Sequence, residues 1–239
     1  MHEIINSVLR NIAHKRNDSN PLLYLEIGVH LGDTFTQVAS DVSGVEIKKE
    51  GVDPYGKYEV AHRMTSQVFF AMNEYFWNKK YDVIFIDGFH FSPIVNQEIQ
   101  ESLKILNEDG VIILHDTTPN KEASGSVEEA PFVGWLKYVS YPQFHNYEPD
   151  EGYPYASEFP GYPESNGDVW KSVVKIRMEE NDLRVASIQG HCCSLIKRGK
   201  QKLLKKVEKK EINWNYYINN FNEIFNPINP SDITEFLNI

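Results

Sequence analysis

Cysteine is nearly absent from this chain of 239 residues, which contains only Cys192 and Cys193. Neighbouring cysteines rarely bridge each other, so the sequence excludes a disulfide framework and favours a reducing compartment. Long apolar runs are also lacking, because no segment approaches the ~18 residues that a membrane span requires. The N-terminus lacks the pattern of a signal peptide. We therefore expect a cytoplasmic protein without a membrane span.

Basic side chains are outnumbered, with 24 Lys and Arg against 34 Asp and Glu, and the formal net charge is −10. A chain with this balance is not expected to bind nucleic acid, because phosphates repel an acidic surface. Its length predicts one large α/β domain over residues 1–239. Within it we distinguish an N-terminal helical segment at 1–20, an insertion at 117–167 and a helical tail at 200–239. Assembly into a homo-oligomer is left open by the sequence.

The segment 81–119 has the order strand, loop, helix, turn, strand. Tyr81–Ile86 and Val111–Leu114 are continuous apolar runs, which are typical of strands buried on both faces of a parallel sheet. Ser92 and the following proline start a helix, and Asp109-Gly110 is expected to end it. One face of that helix is marked by Val95, Ile99, Leu103 and Leu106. The segment is therefore a βαβ unit whose two strands end on the same edge of the sheet.

Acidic side chains follow both of these strands. Asp87 comes directly after the first strand, and His115 and Asp116 come after the second. Open α/β sheets bind ligands at this edge, where two carboxylates can share a hard cation such as Mg²⁺. Each acid alone is more simply explained as a loop cap or an Asx-turn. The occurrence of both in one βαβ unit favours the cation.

A glycine-containing turn follows an earlier buried strand at Leu22–Ile27. It runs from Glu26 through Gly28 to Gly32, after which Asp33 or Thr34 is expected to cap a helix. Two glycines let the backbone approach a ligand closely, and the helix N-terminus supplies N–H groups. Asp53 follows a second short strand and can accept hydrogen bonds from a ribose. A Pro-flanked turn explains Asp53 equally well.

Periodicity predicts the remaining elements. Apolar residues at helical spacing indicate a helix at 3–15, and the hairpin of 183–188 with 192–196 makes the last strand antiparallel. A third strand is predicted at 58–63, and a lysine-rich helix at 200–212. Thr65 or Ser66 is expected to cap another helix, which runs through Trp77. Its inner face would consist of Val68, Phe69, Met72 and Phe76.

The insertion differs in character, because residues 141–167 contain five prolines and seven aromatic residues. A long irregular stretch inside a compact domain is usually functional or disordered, and so many aromatic residues argue against disorder. We expect this stretch to cover the edge at His115 and Asp116 as a lid and to form the pocket for a small molecule. A short helix is predicted before it, at 131–140. The alternative is a surface insertion that packs on itself.

The motif E-x-G-x-x-x-G, from Glu26 to Gly32, resembles the first motif of class I S-adenosylmethionine-dependent methyltransferases. The I-D-G-x-H turn at 86–90 and the H-D pair at 115–116 resemble metal-dependent O-methyltransferases of small molecules, such as the sugar, macrolide and catechol enzymes. Residues 64–70, 167–171 and the tail are also similar to that family. The resemblance implies a doubly wound, mostly parallel sheet of seven strands with an antiparallel last strand.

The resemblance also implies roles for individual residues. S-adenosylmethionine would contact Glu26, Gly28, Gly32, Asp53, Thr65, Ser66 and Asp87. A Mg²⁺ ion would be held by Asp87, Asp116 and His115, and His90 would be the catalytic base beside Asp87. The sequence departs from the sugar enzymes at His115, where they have an acid. Imidazole is a softer ligand that suits Mg²⁺ less well.

The expected function is therefore Mg²⁺-dependent methylation of a hydroxyl group on a small molecule, with a sugar or glycan as the favoured acceptor. Two alternatives remain at this stage. One is a cephalosporin-hydroxylase-like enzyme of the same fold. The other is a non-enzymatic scaffold that binds a partner through the aromatic insertion.

Overall fold

The computed structural model describes residues 1–120 and 166–238. Seven strands form one sheet in the order β2-β3-β1-β4-β5-β7-β6. β7 runs antiparallel to β5 and β6, and the short β2 runs antiparallel to β3. The expected mostly parallel sheet with a reversed last strand is confirmed. The strands are β1 Leu22–Ile27, β2 Asp41–Val42, β3 Val45–Val52, β4 Tyr81–Ile86, β5 Leu106–His115, β6 Leu183–Ile188 and β7 Cys193–Arg198.

Helices cover both faces of this sheet, so the fold is doubly wound. In the described part of the chain the α-helices are α1 His2–Arg16, α2 Asp33–Gln37, α3 Ser66–Met72, α4 Ser92–Ile105, α5 Trp170–Glu179, α6 Trp214–Asn219, α7 Phe221–Phe225 and α8 Ile233–Asn238. A π-helical turn at Asn73–Trp77 and two short 3₁₀ turns at Lys209–Glu211 and Pro230–Asp232 complete the elements. None of these helices has both the length and the apolar composition that a membrane crossing requires.

Two apolar clusters lie on opposite faces of the sheet. On one face α1 packs with its buried stripe of Ile5, Val8, Leu9 and Ile12, beside residues of α8. On the other face α3, α4 and α5 pack with the first two tail helices, around the fully buried Trp170. Successive side chains of each strand point to opposite faces of the sheet and pack into one cluster or the other. This explains why β4 is buried at all six positions. The tail is docked on the body, as expected.

The strand predicted at 58–63 is absent; only an isolated bridge joins Val52 to His62. The Arg63 guanidinium donates to the carbonyl oxygens of Gly56 and Tyr58. The loop is thereby closed on itself by a side chain, and its backbone does not extend the sheet. The seventh strand is the two-residue β2, which the sequence did not predict.

The predicted inner face of α3 is wrong in part. Phe69 is buried as predicted, and so is Phe70, but Val68 is 48% exposed and Phe76 is 73% exposed. The helix is only seven residues long and continues as the π-helical turn at 73–77. A π turn has a wider repeat than an α-helix, so it shifts the side chains that follow it around the axis. Periodicity at 3.6 residues therefore misplaced Phe76, which lies within the π turn.

Two element boundaries differ from expectation. The helix α4 ends at Ile105, and β5 begins at Leu106, which pairs with Tyr81. Asp109-Gly110 therefore lies within β5, at a shift in its register, and does not end the helix. At α2 the N-cap is Gly32, and no side chain caps the helix, so neither Asp33 nor Thr34 has the predicted capping role.

Residues 200–212 do not form the predicted helix. The backbone is irregular until the 3₁₀ turn at 209–211, and it is held by bonds from Gln201 N to Asn181 O and from Leu204 N to Arg177 O. Lysines spaced three to four residues apart repel one another on a helix, which disfavours the helical form. The apolar side chains of this segment nevertheless pack on the core, at Leu204, Val207 and Ile212.

The predicted lid, its acceptor pocket at 141–167 and the short helix at 131–140 fall almost entirely on residues 121–165. These lie outside the described residues, so those predictions stay predictions.

Candidate active site at the carboxyl edge of the sheet

The order of the strands reverses between β1 and β4, because β3 follows β1 on one side and β4 lies on the other. Such a switch point leaves a crevice at the carboxyl ends of the strands. Gly28 follows β1, and its N–H donates to Val52 O at 2.9 Å. Asp87 follows β4, and its N–H donates to Ile27 O at 2.9 Å. The two predicted loops are thus joined at the crevice.

Gly28 is packed tightly between these loops. Its φ is +88°, a left-handed value that favours glycine, and a Cβ there would lie 2.2 Å from the carbonyl oxygen of Asp87. Gly32 has a φ of +83°, and a Cβ there would lie 2.5 Å from the ring of Tyr58. The first glycine therefore sets the position of the Asp87 loop, and the second lets the 53–63 loop close over the turn.

Asp53 caps the turn that follows β3. Its carboxylate accepts from the backbone N–H groups of His30 at 2.7 Å, Tyr55 at 2.8 Å and Gly56 at 2.5 Å. A carboxylate has about four acceptor positions, so three are already used. These contacts are the ones expected if Asp53 caps a Pro-flanked turn. In this conformation Asp53 can accept from one further hydroxyl, not from two.

Glu26 ends β1 and is 1% exposed. Burial, with a smaller effect from the charge of Asp87, raises the pKa of Glu26 to about 8, although the hydrogen bond from Tyr24 opposes the shift. Tyr24 Oη donates to Glu26 Oε2 at 2.5 Å. The carboxyl group is therefore protonated over most of the neutral range and adds no charge beside Asp87.

This raised pKa predicts a dependence of stability on pH. The folded protein binds the Glu26 proton more tightly than the unfolded chain does, so the contribution is complete below the usual pKa of 4.5 and is lost as the pH rises to about 8. The dependence lowers the free energy of unfolding by up to ~1.4 kcal/mol per pH unit, and Glu26→Gln should remove it. Urea unfolding from pH 5 to 8 would measure it.

Glu46→Gln is the matched control, because Glu46 is exposed on β3 of the same sheet. The free energy of unfolding should fall with pH in the wild type and in the control, but less steeply in Glu26→Gln. Parallel curves for all three proteins would contradict the buried protonated state of Glu26.

Asp87, His90 and Asp116 come together at the ends of β4 and β5. One ligand atom from each lies within 4.8 Å of the other two, which is a spacing that could hold a metal ion. His90 Nε2 is 3.0 Å from Asp116 Oδ2 and 3.7 Å from Asp87 Oδ1. The histidine three residues after Asp87 therefore lies between both carboxylates, as its spacing suggested.

His115 lies on the other side of Asp87. Its Nδ1 is 2.9 Å from Asp87 Oδ1 and 3.4 Å from Asp116 Oδ1. Burial opposes protonation of this ring, but the hydrogen bonds with Asp116 and Asp87 prevail and raise the pKa of His115 to about 11. The imidazolium thus donates to Asp87. In this arrangement His115 orients a carboxylate and offers no free lone pair at Nδ1.

The charge of Asp87 is fixed by the same contacts. Burial alone would raise its pKa, but the hydrogen bonds with His115 and His90 lower the pKa of Asp87 to about 2. The carboxylate is therefore ionised throughout the physiological range, flanked by two imidazole rings. A stable negative charge at this position suits a cation or the developing positive charge of a base.

Asn166 was not singled out from the sequence. Its Nδ2 donates to Asp116 Oδ1 at 2.5 Å and lies 3.6 Å from Cys192 Sγ. Asp116 itself has a φ of +56°, an uncommon value outside glycine. Strained residues of this kind cluster at functional sites. No short-range motif marks Asn166, because it reaches the site from a segment fifty residues away.

Gly167 and Asp168 hold the His90 loop in place. A Cβ on Gly167, whose φ is +58°, would lie 1.8 Å from His90 O. Asp168 donates its N–H to His90 O at 3.2 Å, and its carboxylate accepts from Ser92 N at 2.6 Å and Ser92 Oγ at 2.9 Å. Asp168 thus caps α4 from outside that helix.

Thr65 and Ser66 begin α3. The Thr65 side chain caps the helix by accepting from Val68 N at 3.4 Å. Ser66 Oγ donates to Glu98 Oε1, on α4, at 2.7 Å. Glu98 was also missed, because a glutamate on a helix is usually exposed, whereas this one is 3% exposed.

Comparison with known proteins gives three findings. Residues 25–117, from β1 through the end of β5, match the family Methyltransf_24, described as a methyltransferase domain. No curated protein sequence matches the chain. Several solved structures are similar in part.

The O-methyltransferase from Bacillus cereus, in complex with SAH, has 13% identity and a TM-score of 0.44 over 80% of this chain and 78% of that chain. TomG from Streptomyces achromogenes, an O-methyltransferase involved in tomaymycin synthesis, has 12% identity and a TM-score of 0.44 over 81% and 79%. MycE from the mycinamycin pathway, with Mg and SAH, has 13% identity and a TM-score of 0.43 over 80% of this chain and 48% of that chain. Similarities this low do not bear on the acceptor.

The matched segment contains the glycine turn, Asp53 and the acids after β4 and β5, and the sheet has the order and reversed strand expected of this fold. Residues 25–117 are therefore a methyltransferase domain of this family.

Proposed function

We propose that this methyltransferase transfers a methyl group from S-adenosylmethionine to a hydroxyl group of a small molecule, with a sugar or glycan as the acceptor class. One observation carries the proposal. Asp87, His90 and Asp116 converge at the edge where the Asp87 N–H binds Ile27 O at the end of β1, so a base and two carboxylates lie beside the expected position of the cofactor. Methylation of an oxygen requires such a base, because an alcohol is a poor nucleophile at neutral pH.

His90 is the proposed general base. Its Nε2 lies between the two carboxylates, which would stabilise the imidazolium that forms when the ring takes the hydroxyl proton. The backbone of His90 is anchored through Asp168 and by the close approach of Gly167, so the ring is held on a supported loop. Proximity of this kind is a large part of what an enzyme contributes to an in-line displacement.

The donor set suits a hard divalent cation in part. Asp87 and Asp116 offer carboxylate oxygens, which Mg²⁺ prefers, and the pKa of Asp87 keeps its oxygens ionised. A bound Mg²⁺ would lower the pKa of a coordinated hydroxyl group. His115 would fix the orientation of Asp87, in the way that outer hydrogen bonds orient metal ligands. We therefore propose the two aspartates as ligands and His115 as their support.

The residues of the glycine turn suit the cofactor. Gly28 and Gly32 bring the backbone close to the crevice, Glu26 is buried beside it, and Asp53 keeps one acceptor position for a ribose hydroxyl. Thr65, Ser66 and Asp87 complete the proposed contacts. The aromatic residues of 141–167 are proposed to contact the acceptor, since an apolar pocket with few polar groups suits a small molecule.

The test is transfer of an isotopically labelled methyl group from S-adenosylmethionine to a panel of sugars, glycosides, catechols, amines and thiols. We expect labelled methyl ethers, with sugar hydroxyls preferred. Activity should be lost in excess EDTA and return with Mg²⁺. Asp87→Asn should be inactive under all these conditions, whereas Asp33→Asn, at the start of α2, should not change the metal dependence.

Labelled amines or thiols in place of ethers would contradict O-methylation. Full activity in excess EDTA would contradict the cation, and it would leave the two carboxylates to orient the acceptor and the base directly.

A further inference from the structure

Exposed lysines form a basic strip on one side of this acidic protein, and the proposed reaction does not use them. Residues 200–210 contain six lysines and one acid, whereas the formal net charge of the chain is −10. All six lysines are exposed. We call them the lysine strip: Lys200, Lys202, Lys205, Lys206, Lys209 and Lys210.

The backbone of the strip is anchored from within. Leu204 and Val207 pack on the core, and Leu204 N donates to Arg177 O at 2.7 Å. At the start of the strip, Gln201 Nε2 donates to Glu180 O at 2.7 Å. The lysines therefore lie on an anchored backbone, so a ligand that binds them does not have to order the chain.

The helix α5 lies beside the strip and joins the two edges of the sheet. It begins at the carboxyl edge, because Asp168, just before the helix, donates its N–H to His90 O at 3.2 Å. It ends at the opposite edge, since β6 begins soon afterwards at Leu183, which pairs with Arg198 at the end of β7. β7 is antiparallel to β5, so its last residue lies at the amino edge. The helix spans about 15 Å between the two edges.

The strip follows α5 back toward the candidate site. Its start at Gln201 is bonded to Glu180, at the far end of the helix. After the strip, the ring of Tyr217 lies 5.1 Å from the ring of Trp170, the first residue of α5. Tyr217 Oη also donates to Pro119 O at 2.7 Å, in the segment that follows β5. The lysine strip therefore lies on a path that leads from the amino edge to the edge of the candidate site.

Few acids balance the strip. Lys210 Nζ is 2.7 Å from Glu208 Oε2. Glu211 accepts from the backbone N–H of Glu208 at 2.9 Å. The other five lysines of the strip have no ion pair with the described residues of the chain. Positive charges that lie side by side repel one another, and a ligand with several negative charges would relieve the repulsion.

We propose that the lysine strip binds an anionic glycan and that the acceptor is a sugar unit of that glycan. The inference rests on the proposed function and narrows its acceptor to saccharide chains that carry carboxylate, sulfate or phosphate groups. Asp87 and Asp116 make the reacting centre itself acidic, so the charges of such an acceptor need a basic surface away from that centre. The strip supplies this surface along a path to the site.

Two other polyanions fit the strip less well. A membrane surface is usually bound by apolar side chains together with lysines, and among its apolar residues the strip exposes only Leu203, at 37%. A nucleic acid would meet the acidic remainder of the chain along its length. A glycan can be short enough to contact the strip and the site alone.

The test is titration calorimetry of the wild-type protein with hexagalacturonate, which carries a carboxylate on every unit. Maltohexaose is the neutral comparison. We expect hexagalacturonate to bind at least about tenfold more tightly. Its affinity should fall by at least about tenfold between ~50 and ~300 mM salt, because several counterions are released on binding.

The variant that combines Lys205→Gln with Lys206→Gln removes two adjacent charges of the strip. Lys48→Gln with Lys80→Gln is the matched control, because both lysines are exposed outside the strip and the net charge changes equally. The strip variant should lose at least about tenfold in affinity, and its dependence of log affinity on log salt should be shallower by about one per lysine. The control should equal the wild type. In methyl transfer to hexagalacturonate, the strip variant should raise KM and leave kcat unchanged, because the strip lies away from the reacting atoms.

Equal affinities of the strip variant and the control would overturn the inference, because overall charge alone would then account for the binding. A fall in kcat in place of a rise in KM would overturn it too. So would tighter binding of hexathymidylate or of vesicles with anionic lipid, and so would a wild-type protein that neither binds nor methylates hexagalacturonate.

Binding of S-adenosylhomocysteine in any of these cases would leave the proposed function standing. A wild-type protein that does not bind S-adenosylhomocysteine would instead contradict the proposed function, and the inference with it.

Discussion

His90→Ala should lower turnover by ~10²–10⁴-fold, the usual contribution of a well-placed general base. The ring lies 3.0 Å from Asp116 and 3.7 Å from Asp87, where the carboxylates would stabilise its protonated form. Methyl transfer under saturating substrate would measure the loss. Binding of S-adenosylhomocysteine should stay within a few-fold of the wild type, because the proposed cofactor contacts do not include this ring.

The same variant separates a base from a metal ligand. If His90 is the base, Mn²⁺ binding followed by electron paramagnetic resonance should persist in His90→Ala and be lost in Asp116→Ala. His14→Ala, on the exposed side of α1, is the control for general effects. Loss of Mn²⁺ in His90→Ala would contradict the assignment and make the histidine the third ligand. Loss of turnover in His115→Ala, with none in His90→Ala, would move the base to the other ring.

Gly28→Ala should destabilise the fold by at least about 3 kcal/mol. An alanine would be strained at a φ of +88°, and its Cβ would lie 2.2 Å from the carbonyl oxygen of Asp87, which is backbone and cannot turn away. The Asp87 loop must then shift. For a chain of this size, each kcal/mol of lost stability lowers the midpoint of thermal unfolding by about 2–4 °C. The midpoint should therefore fall by about 6 °C or more.

Gly44→Ala separates strain from contact. Gly44 has a φ of +82°, but a Cβ there would meet nothing within 4 Å. Gly44→Ala should therefore destabilise the fold only through its strained backbone conformation, by about 1 kcal/mol. Equal effects of the two substitutions would show that the Gly28 contact with the Asp87 loop contributes nothing to stability.

Much of the sheet could be predicted because its strands are apolar throughout. β1, β4 and the end of β5 are buried on both faces, so their sequences contain no polar alternation. The errors lie where one local feature overrode periodicity. The π turn after α3 places Phe76 at the surface, and the side chain of Arg63 closed a loop that otherwise resembles a strand.

At the site, the sequence predicted the residues that follow strands. Asp87, His90 and Asp116 are close in space because parallel strands end on one edge, and spacing along the chain reveals this. Asn166 and Glu98 could not be found this way. Asn166 reaches Asp116 across an insertion, and Glu98 is identified by its burial, which depends on the packing of α4 against the sheet.

The assignment of roles at the site stays a prediction, and it depends on which cofactor binds. Titration calorimetry of the wild-type protein with S-adenosylhomocysteine, and separately with NAD, tests this central claim most directly. We expect binding of S-adenosylhomocysteine at one site per chain and no heat with NAD. Binding of NAD without S-adenosylhomocysteine would contradict it.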